Sequence, residues 1–200
     1  MNTLYAKAET LTGAVLAPLD LTRQIILVVA FSLLMALSAQ LVIPLPWTPV
    51  PITGQTFVVL LTGALLGSRL GSLAMIAYLI EGASGLPFFR AGGSGLAYLA
   101  VSPTTGYLLS YPLAAFVVGL LAERGWDRRY FSAAAAMMIG SALILLGGWA
   151  WLSLWFQTAA DAFLIGVLPF LPGDAVKIAL AAGALPTGWA LLARKASHKD

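Results

Sequence analysis

A long uncharged stretch near the start of the chain limits what this protein can fold into. Residues 24–68 contain no Asp, Glu, Lys or Arg, and Arg23 and Arg69 flank them. The whole chain of 200 residues is 60% apolar and 10% charged, with a mean hydropathy of +0.92. A soluble domain carries about 25% charged residues and could not bury so much apolar surface at this length. The sequence therefore predicts an all-α, polytopic membrane protein.

Six apolar segments separated by breaks indicate six transmembrane helices. The expected spans are 25–43, 53–67, 70–85, 104–122, 131–156 and 174–193. Four prolines within residues 44–51 exclude a regular helix there and predict a loop with extended segments. We expect a single membrane domain over 1–200, with a cytoplasmic lead (1–24), a six-helix bundle (25–193) and a cytoplasmic tail (194–200).

The basic residues of the expected loops lie almost entirely on one side of the membrane. An even number of spans places both ends of the chain on the same side. In the odd-numbered loops Arg90 is the only basic residue, whereas the two ends and the even-numbered loops carry Lys7, Arg23, Arg69, Arg124, Arg128, Arg129, Arg194, Lys195 and Lys199. Cytoplasmic loops are enriched in Lys and Arg. This asymmetry predicts that both termini are cytoplasmic.

An acid and a base at the start of the last span are the first candidates for a binding site. Asp174 and Lys177 are three residues apart, so they share one face of a helix. Ionisable groups at membrane depth are costly and usually mark a ligand site or an ion path. Asp174 follows Pro172 and Gly173, a pattern typical of a helix start that an acid caps. The alternative is a self-satisfied cap and a local ion pair with no ligand.

Other polar and aromatic residues are predicted on the same outer side as this pair. Gln55 heads the second span and could contact a ligand or another helix. Glu81 and Arg90 flank the next outer loop, where they could contact a ligand, pair with each other or lie in water. Tyr78 and Tyr107 offer hydroxyls or ring faces, although membrane tyrosines more often serve packing.

A stripe of small residues runs along the first span. Ser32, Ala36 and Ala39 follow at i, i+4 and i+7. Small side chains let helices approach closely in lipid. The stripe predicts either internal packing or a docking face for a partner subunit, and its spacing alone does not decide between them.

Several function classes are excluded or disfavoured by residues that the sequence lacks. There is no Cys and a single His, His198, so we expect no disulfide, no transition-metal site and no bound cofactor. No P-loop pattern occurs, so the chain does not hydrolyse ATP on its own. Ser84 and Ser94 stand in Gly-x-Ser-Gly strings, which would suit an intramembrane hydrolase. A serine nucleophile needs a nearby base, and His198 is in the cytoplasmic tail, so we expect no enzymatic activity.

Four sequence motifs occur in order: Pro-Val-Pro-Ile-Thr-Gly-Gln-Thr (49–56), Gly-Ala-Leu-Leu-Gly (63–67), Tyr-Leu-Ile-Glu-Gly-Ala-Ser-Gly-Leu-Pro (78–87) and Leu-Pro-Gly-Asp-Ala-Val-Lys (171–177). Together they resemble the motifs of the BioY family, the biotin-specific S components of energy-coupling-factor (ECF) vitamin transporters. The family pattern Gly-Pro-Thr-Gly-Gly-Tyr is altered here to Ser-Pro-Thr-Thr-Gly-Tyr (102–107). The Ala-x-x-x-Ala motif of the first helix occurs as Ser32-x-x-x-Ala36.

The resemblance implies a six-helix S component in the bacterial cytoplasmic membrane that captures biotin outside and delivers it inward. It implies a T component and ATPase subunits as partners, and a docking role for the small-residue stripe. It also favours Asp174 on the ureido N–H groups of biotin, Lys177 on its carbonyl or carboxylate, and Arg90 as a lid. An S component for another vitamin, such as thiamine or riboflavin, remains an alternative.

Overall fold

The architecture is helical throughout, and the computed structural model describes residues 10–16 and 18–197. In these residues the helices are α1 (Leu11–Leu16), α2 (Leu21–Gln40), α3 (Gln55–Ala83), α4 (Gly95–Val101), α5 (Thr105–Glu123), α6 (Tyr130–Leu152), α7 (Ala159–Gly166) and α8 (Leu171–Ser197). Short 3-10 turns cover Arg90–Gly92, Trp126–Arg128 and Leu168–Phe170. Two short strands, β1 (Val42–Ile43) and β2 (Ile52–Thr53), pair antiparallel and enclose the proline-rich loop.

The third helix is a hairpin of two helices rather than one rod. Its break is at Gly67, whose φ of +85° is a left-handed conformation that glycine adopts readily. The Gln55 side-chain Nε2 lies 2.8 Å from the Tyr78 hydroxyl, although in a straight helix those residues would be roughly 34 Å apart. Residues 55–66 and 68–83 therefore run back along each other. The predicted break between the second and third spans is confirmed.

The count of membrane passes agrees with six. Within the part of the chain that the structure describes, five helical segments are long and apolar enough to cross a membrane. Because α3 turns back at Gly67, it supplies two of the six passes. The last helix begins at Leu171, three residues earlier than expected, and the short helix α7 was not predicted.

The two halves of α3 pack against α5 with backbone nearly touching backbone. A Cβ added at Gly63 would collide with the carbonyl oxygen of Ala115, and one added at Gly119 would collide with the backbone of Gly67 and Ser68. Close approach of this kind needs residues without side chains. The crossing fixes the hairpin against α5 and so fixes the position of Gln55 at its far end.

A carboxylate from α5 caps the new helix start that the break creates. Ser68 donates to Glu123 Oε1 through its backbone N–H (2.6 Å) and its hydroxyl (2.9 Å). The first N–H groups of a helix have no partner within the helix, and an acid at that end is favourable. The Gly67 turn is therefore stabilised by both conformation and capping.

At the same end of the molecule, the loop between α5 and α6 holds the last helix. Asp127 is only 1% exposed, and Trp189 Nε1 of α8 donates to its Oδ2 at 2.6 Å. The Arg128 guanidinium lies 4.6 Å from the centre of the Trp189 ring. Burial raises the pKa of Asp127, an effect that the Trp189 bond partly opposes.

Candidate functional site

A small cavity lies at the opposite end of the α3 hairpin, where α3 and α8 both begin. Its volume is about 40 Å³. It is enclosed by the proline-rich loop, the Arg90 turn and the helix starts. Its lining residues are Val50, Pro51, Thr53, Gln55, Thr56, Arg90, Thr104, Tyr107, Tyr111, Leu145, Phe170, Asp174 and Lys177. Five of the residues proposed from sequence meet here: Asp174, Lys177, Gln55, Arg90 and Tyr107.

Asp174 is buried in the cavity wall, with 6% of its surface exposed. The Ser141 hydroxyl of α6 donates to its Oδ2, and the Lys177 ammonium lies 3.6 Å from its Oδ1. A carboxylate has about four acceptor positions, so this one keeps capacity for further N–H donors. The predicted cap role is wrong, because α8 starts at Leu171 and Asp174 bonds to side chains instead.

Lys177 is held by the start of α3 rather than by Asp174 alone. Its Nζ donates to the Thr56 hydroxyl at 2.6 Å and to the Thr53 carbonyl at 3.1 Å. These two bonds leave the ammonium directed toward Asp174 for its third contact. A positive charge fixed in this way is suited to a carbonyl or carboxylate oxygen of a ligand.

Gln55 and Tyr78 form a short chain of hydrogen bonds that runs from the cavity to the outer loop. Gln55 Nε2 donates to the Tyr78 hydroxyl, which donates to the Phe88 carbonyl at 3.2 Å. Thr53 donates to Gln55 Oε1 at 3.2 Å. Tyr78 does not line the cavity itself. Its position supports Gln55 and links it to the loop that carries Arg90.

Arg90 closes one side of the cavity and joins two loops. Its Nη1 donates to the Pro49 carbonyl at 3.2 Å, which ties the Arg90 turn to the proline-rich loop. The turn is tight, because Ala91 (φ +53°) and Gly92 (φ +74°) are both left-handed. Arg90 thus lines the cavity at the junction of the two loops, and its role as a lid stays a prediction.

Aromatic side chains form the apolar wall of the cavity. Tyr107 and Phe170 pack edge to face with ring centroids 6.2 Å apart. The Tyr107 hydroxyl donates to the Gly166 carbonyl. The part of Tyr107 that is left to line the cavity is therefore its ring. Tyr111, which sequence reasoning did not select, is 3% exposed and completes this wall.

The predicted position of Glu81 needs correction. Glu81 does not line the cavity; its Oε1 accepts from the Ser32 hydroxyl of α2 at 3.2 Å. Ser32, Ala36 and Ala39 are 0%, 7% and 0% exposed, so the small-residue stripe packs mainly inside the bundle. Ala36 also borders a surface groove, and a docking role for the stripe stays a prediction.

Sequence reasoning missed two hydroxyls that hold the charged pair. Ser141 fixes Asp174, and Thr56 fixes Lys177. Thr56 lies in the same motif as Gln55, so its place beside the site was available from sequence. Ser141 is an isolated hydroxyl in an apolar span, and such residues more often bond to their own helix.

The serines of the Gly-x-Ser-Gly strings lie outside the cavity. Ser84 is exposed and its hydroxyl donates to the Glu81 carbonyl at 2.7 Å. Ser94 is also exposed and precedes α4. The Lys177 ammonium is bonded to Thr53 and Thr56 rather than to either serine. His198 lies outside the described residues.

Comparison with known proteins agrees with these features. Residues 6–194 match the model of the BioY family. The chain belongs to the BioY family. The match covers the whole cavity, including the motif that carries Gln55 and the motif that carries Asp174 and Lys177.

Curated relatives in the BioY family cover most of the chain. A probable biotin transporter BioY of Pyrococcus horikoshii is 39% identical over 80% of this chain and 91% of its own length. The biotin transporter BioY of Thermotoga maritima is 38% identical over 80% of this chain and 92% of its own. That of Rhizobium etli is 34% identical over 88% and 99%.

A solved structure shares the fold. The crystal structure of the S component for biotin from an ECF-type ABC transporter superposes with a TM-score of 0.74. It covers 86% of this chain and 93% of its own, at 23% identity. At that identity the likeness describes the arrangement of helices.

Proposed function

We propose that this chain is the biotin-binding and uptake subunit of an ECF-type transporter. One observation carries the proposal: a membrane-embedded acid, Asp174, and a base, Lys177, border a cavity in a chain of the BioY family. Asp174 keeps acceptor positions beyond its contacts with Ser141 and Lys177. Curated relatives that cover most of the chain are biotin transporters.

The polar groups of the cavity complement those of biotin. Biotin has a ureido ring with two N–H donors and one carbonyl, an apolar thiolane ring and a carboxylate tail. Asp174 is an acceptor for the ureido N–H groups, and Lys177 beside it is a donor for the ureido carbonyl or the carboxylate. Tyr107, Tyr111 and Phe170 supply an apolar wall for the thiolane. Arg90 covers the bound molecule from the loop side.

The cavity is too small for this ligand and must enlarge to admit it. Its volume of about 40 Å³ is far below the roughly 300–1,000 Å³ typical of small-molecule sites. The movable walls are the proline-rich loop and the Arg90 turn, which are joined to each other by the bond from Arg90 to Pro49. We propose that these two loops separate to let biotin in and close over it.

The cellular setting follows from the charge pattern and from the family. Basic residues concentrate at the end of the molecule that carries Glu123, so that end and both termini are cytoplasmic and the cavity faces outward. The membrane is the bacterial cytoplasmic membrane. We propose that inward delivery uses a T component and ATPase subunits, because the solved S component for biotin that shares this fold comes from an ECF-type ABC transporter.

Equilibrium binding with the purified protein tests the proposed function. Labelled biotin is titrated in detergent, followed by competition with thiamine, riboflavin and biotinamide, which lacks the carboxylate. We expect saturable biotin binding that thiamine and riboflavin do not displace. Saturable binding of thiamine or riboflavin, with none of biotin, would refute biotin as the ligand. Equal competition by biotinamide and biotin would place the carboxylate away from Lys177.

A further inference from the structure

The side chain of Gln40 bonds the loop that carries Arg90 to α2. This residue is the last of α2. Its Nε2 lies 3.2 Å from the Phe89 carbonyl and 3.4 Å from the Pro87 carbonyl, and its Oε1 accepts from the Gly92 backbone N–H at 3.1 Å. One amide thus contacts the loop on both sides of Arg90, as donor before it and as acceptor after it.

The turn around Arg90 has a shape that depends on such a support. Ala91 adopts a left-handed φ of +53°, which is unfavourable for a residue with a Cβ. The turn is closed by two backbone bonds, from the Phe89 N–H to the Gly93 carbonyl at 2.9 Å and from the Gly93 N–H to the Arg90 carbonyl at 3.1 Å. The Gly92 N–H points away from the turn, and Gln40 is its partner.

The two ends of the turn differ in how firmly they are held. Phe89 is fully buried, stacked on Tyr98 with ring centroids 5.2 Å apart and packed edge to face against Tyr78. Ala91 and Gly92 are exposed and have no apolar contact of this kind. After Phe89, the side-chain bonds that hold the turn, among the described residues, are the Gln40 bond to Gly92 and the Arg90 bond to Pro49. The backbone bond from Gly93 to Arg90 lies within the turn itself and does not attach it to the rest of the protein.

We propose that Gln40 is a positioning residue for ligand retention: it holds the 86–93 loop so that Arg90 closes the cavity. It does not border the cavity and would not touch the ligand. The identity of the retained ligand, biotin, rests on the proposed function. The support of the loop by Gln40 does not depend on any ligand. It predicts an effect on biotin release rather than on biotin capture.

Gln40→Met tests this proposal, because methionine keeps the length of the side chain and removes all its hydrogen bonds. Gln24→Met is the matched control, since Gln24 lies on the same helix and bonds only locally, to the Leu19 carbonyl. We expect a biotin dissociation rate about tenfold faster in Gln40→Met, the size expected for losing one or two net hydrogen bonds. The association rate should stay within about threefold.

Hydrogen exchange without ligand gives an independent measurement. Peptides covering residues 86–93 should exchange faster in Gln40→Met than in the wild type or Gln24→Met. Gln40→Glu keeps the acceptor for Gly92 and should exchange more slowly than Gln40→Met. Unchanged exchange in Gln40→Met would overturn the proposal, and so would faster exchange with an unchanged biotin dissociation rate. If the wild type bound no biotin, the proposed function would fail, while the exchange data alone would decide whether Gln40 supports the loop.

Discussion

Two carboxylates, one at each end of the α3 hairpin, have different sets of partners. In the described part of the chain, Glu123 accepts hydrogen bonds from Ser68, whose N–H and hydroxyl both reach its Oε1. Asp174 contacts side chains of α6 and α8 and borders a cavity. The first carboxylate completes a helix end and has a structural role. The second is left with acceptor capacity that only a ligand or water can use. Mutations at the two ends should therefore separate folding from binding.

The largest expected effect is the loss of the ammonium at the cavity end. Lys177→Ala removes the partner of Asp174 and the tie to Thr56 and Thr53. We expect biotin affinity to fall on the order of 100-fold, since an unsatisfied buried polar partner costs a few kcal/mol. Calorimetric titration measures it. A biotin affinity within threefold of that of the wild type would show that Lys177 does not contribute to biotin binding.

At the other end, Gly67→Ala should reduce stability without reducing affinity. Its φ of +85° is strained for alanine, and a Cβ there would lie 2.6 Å from Glu123 Oε1. We expect a loss on the order of 2 kcal/mol in unfolding free energy, seen as a lower apparent Tm in detergent. Gly173→Ala is the matched control, because a Cβ there meets nothing within 4 Å. Weakened biotin binding by the folded Gly67→Ala protein would show that this end of the hairpin affects binding as well as folding.

A smaller effect is expected for the hydroxyl that orients Asp174. Ser141→Ala leaves both charges in place and removes one hydrogen bond to Oδ2. We expect biotin affinity to fall about tenfold, the equivalent of one hydrogen bond to a charged group. Ser110→Ala is a control, since that hydroxyl bonds to the Gly106 carbonyl of its own helix. Equal effects of both variants on affinity would indicate a general packing defect.

Much of the architecture could be predicted from the sequence because its causes are local. The lengths of the apolar segments predicted the membrane spans, and Gly67 marked the end of the second span. Asp174, Lys177, Gln55 and Arg90 could be selected because polar groups near lipid need a partner, and their meeting in one cavity agrees with that reasoning.

The errors concern features that depend on how helices rotate and pack. Glu81 lies three residues after Tyr78 in the same helix, and the packing of that helix turned it toward Ser32. The stripe of small residues predicted close packing but not whether the neighbour was this chain or another. The bond from Ser141 to Asp174 joins residues 33 positions apart, a contact that no local pattern contains.

The smallest predicted effect concerns a third acid, Asp127, at the end that carries Glu123. Burial raises the pKa of Asp127 above its ordinary value of 3.8, so the folded protein holds this proton more firmly than the unfolded chain. That contribution to stability is present below the ordinary pKa and is lost as pH rises through the raised pKa. From about pH 4 upward, the apparent Tm of the wild type should therefore fall relative to that of Asp127→Asn. A Tm difference that does not change with pH would contradict this, and biotin affinity should be equal in both proteins.

Calorimetric titration of biotin into the wild type and Asp174→Asn measures whether biotin uses the free acceptor capacity of Asp174. Asparagine keeps the size of the side chain and replaces one acceptor oxygen with a donor. We expect stoichiometric binding by the wild type and an affinity at least about 100-fold lower in Asp174→Asn, with the apparent Tm of the two unliganded proteins similar. Equal affinity for biotin in both proteins would contradict this expectation.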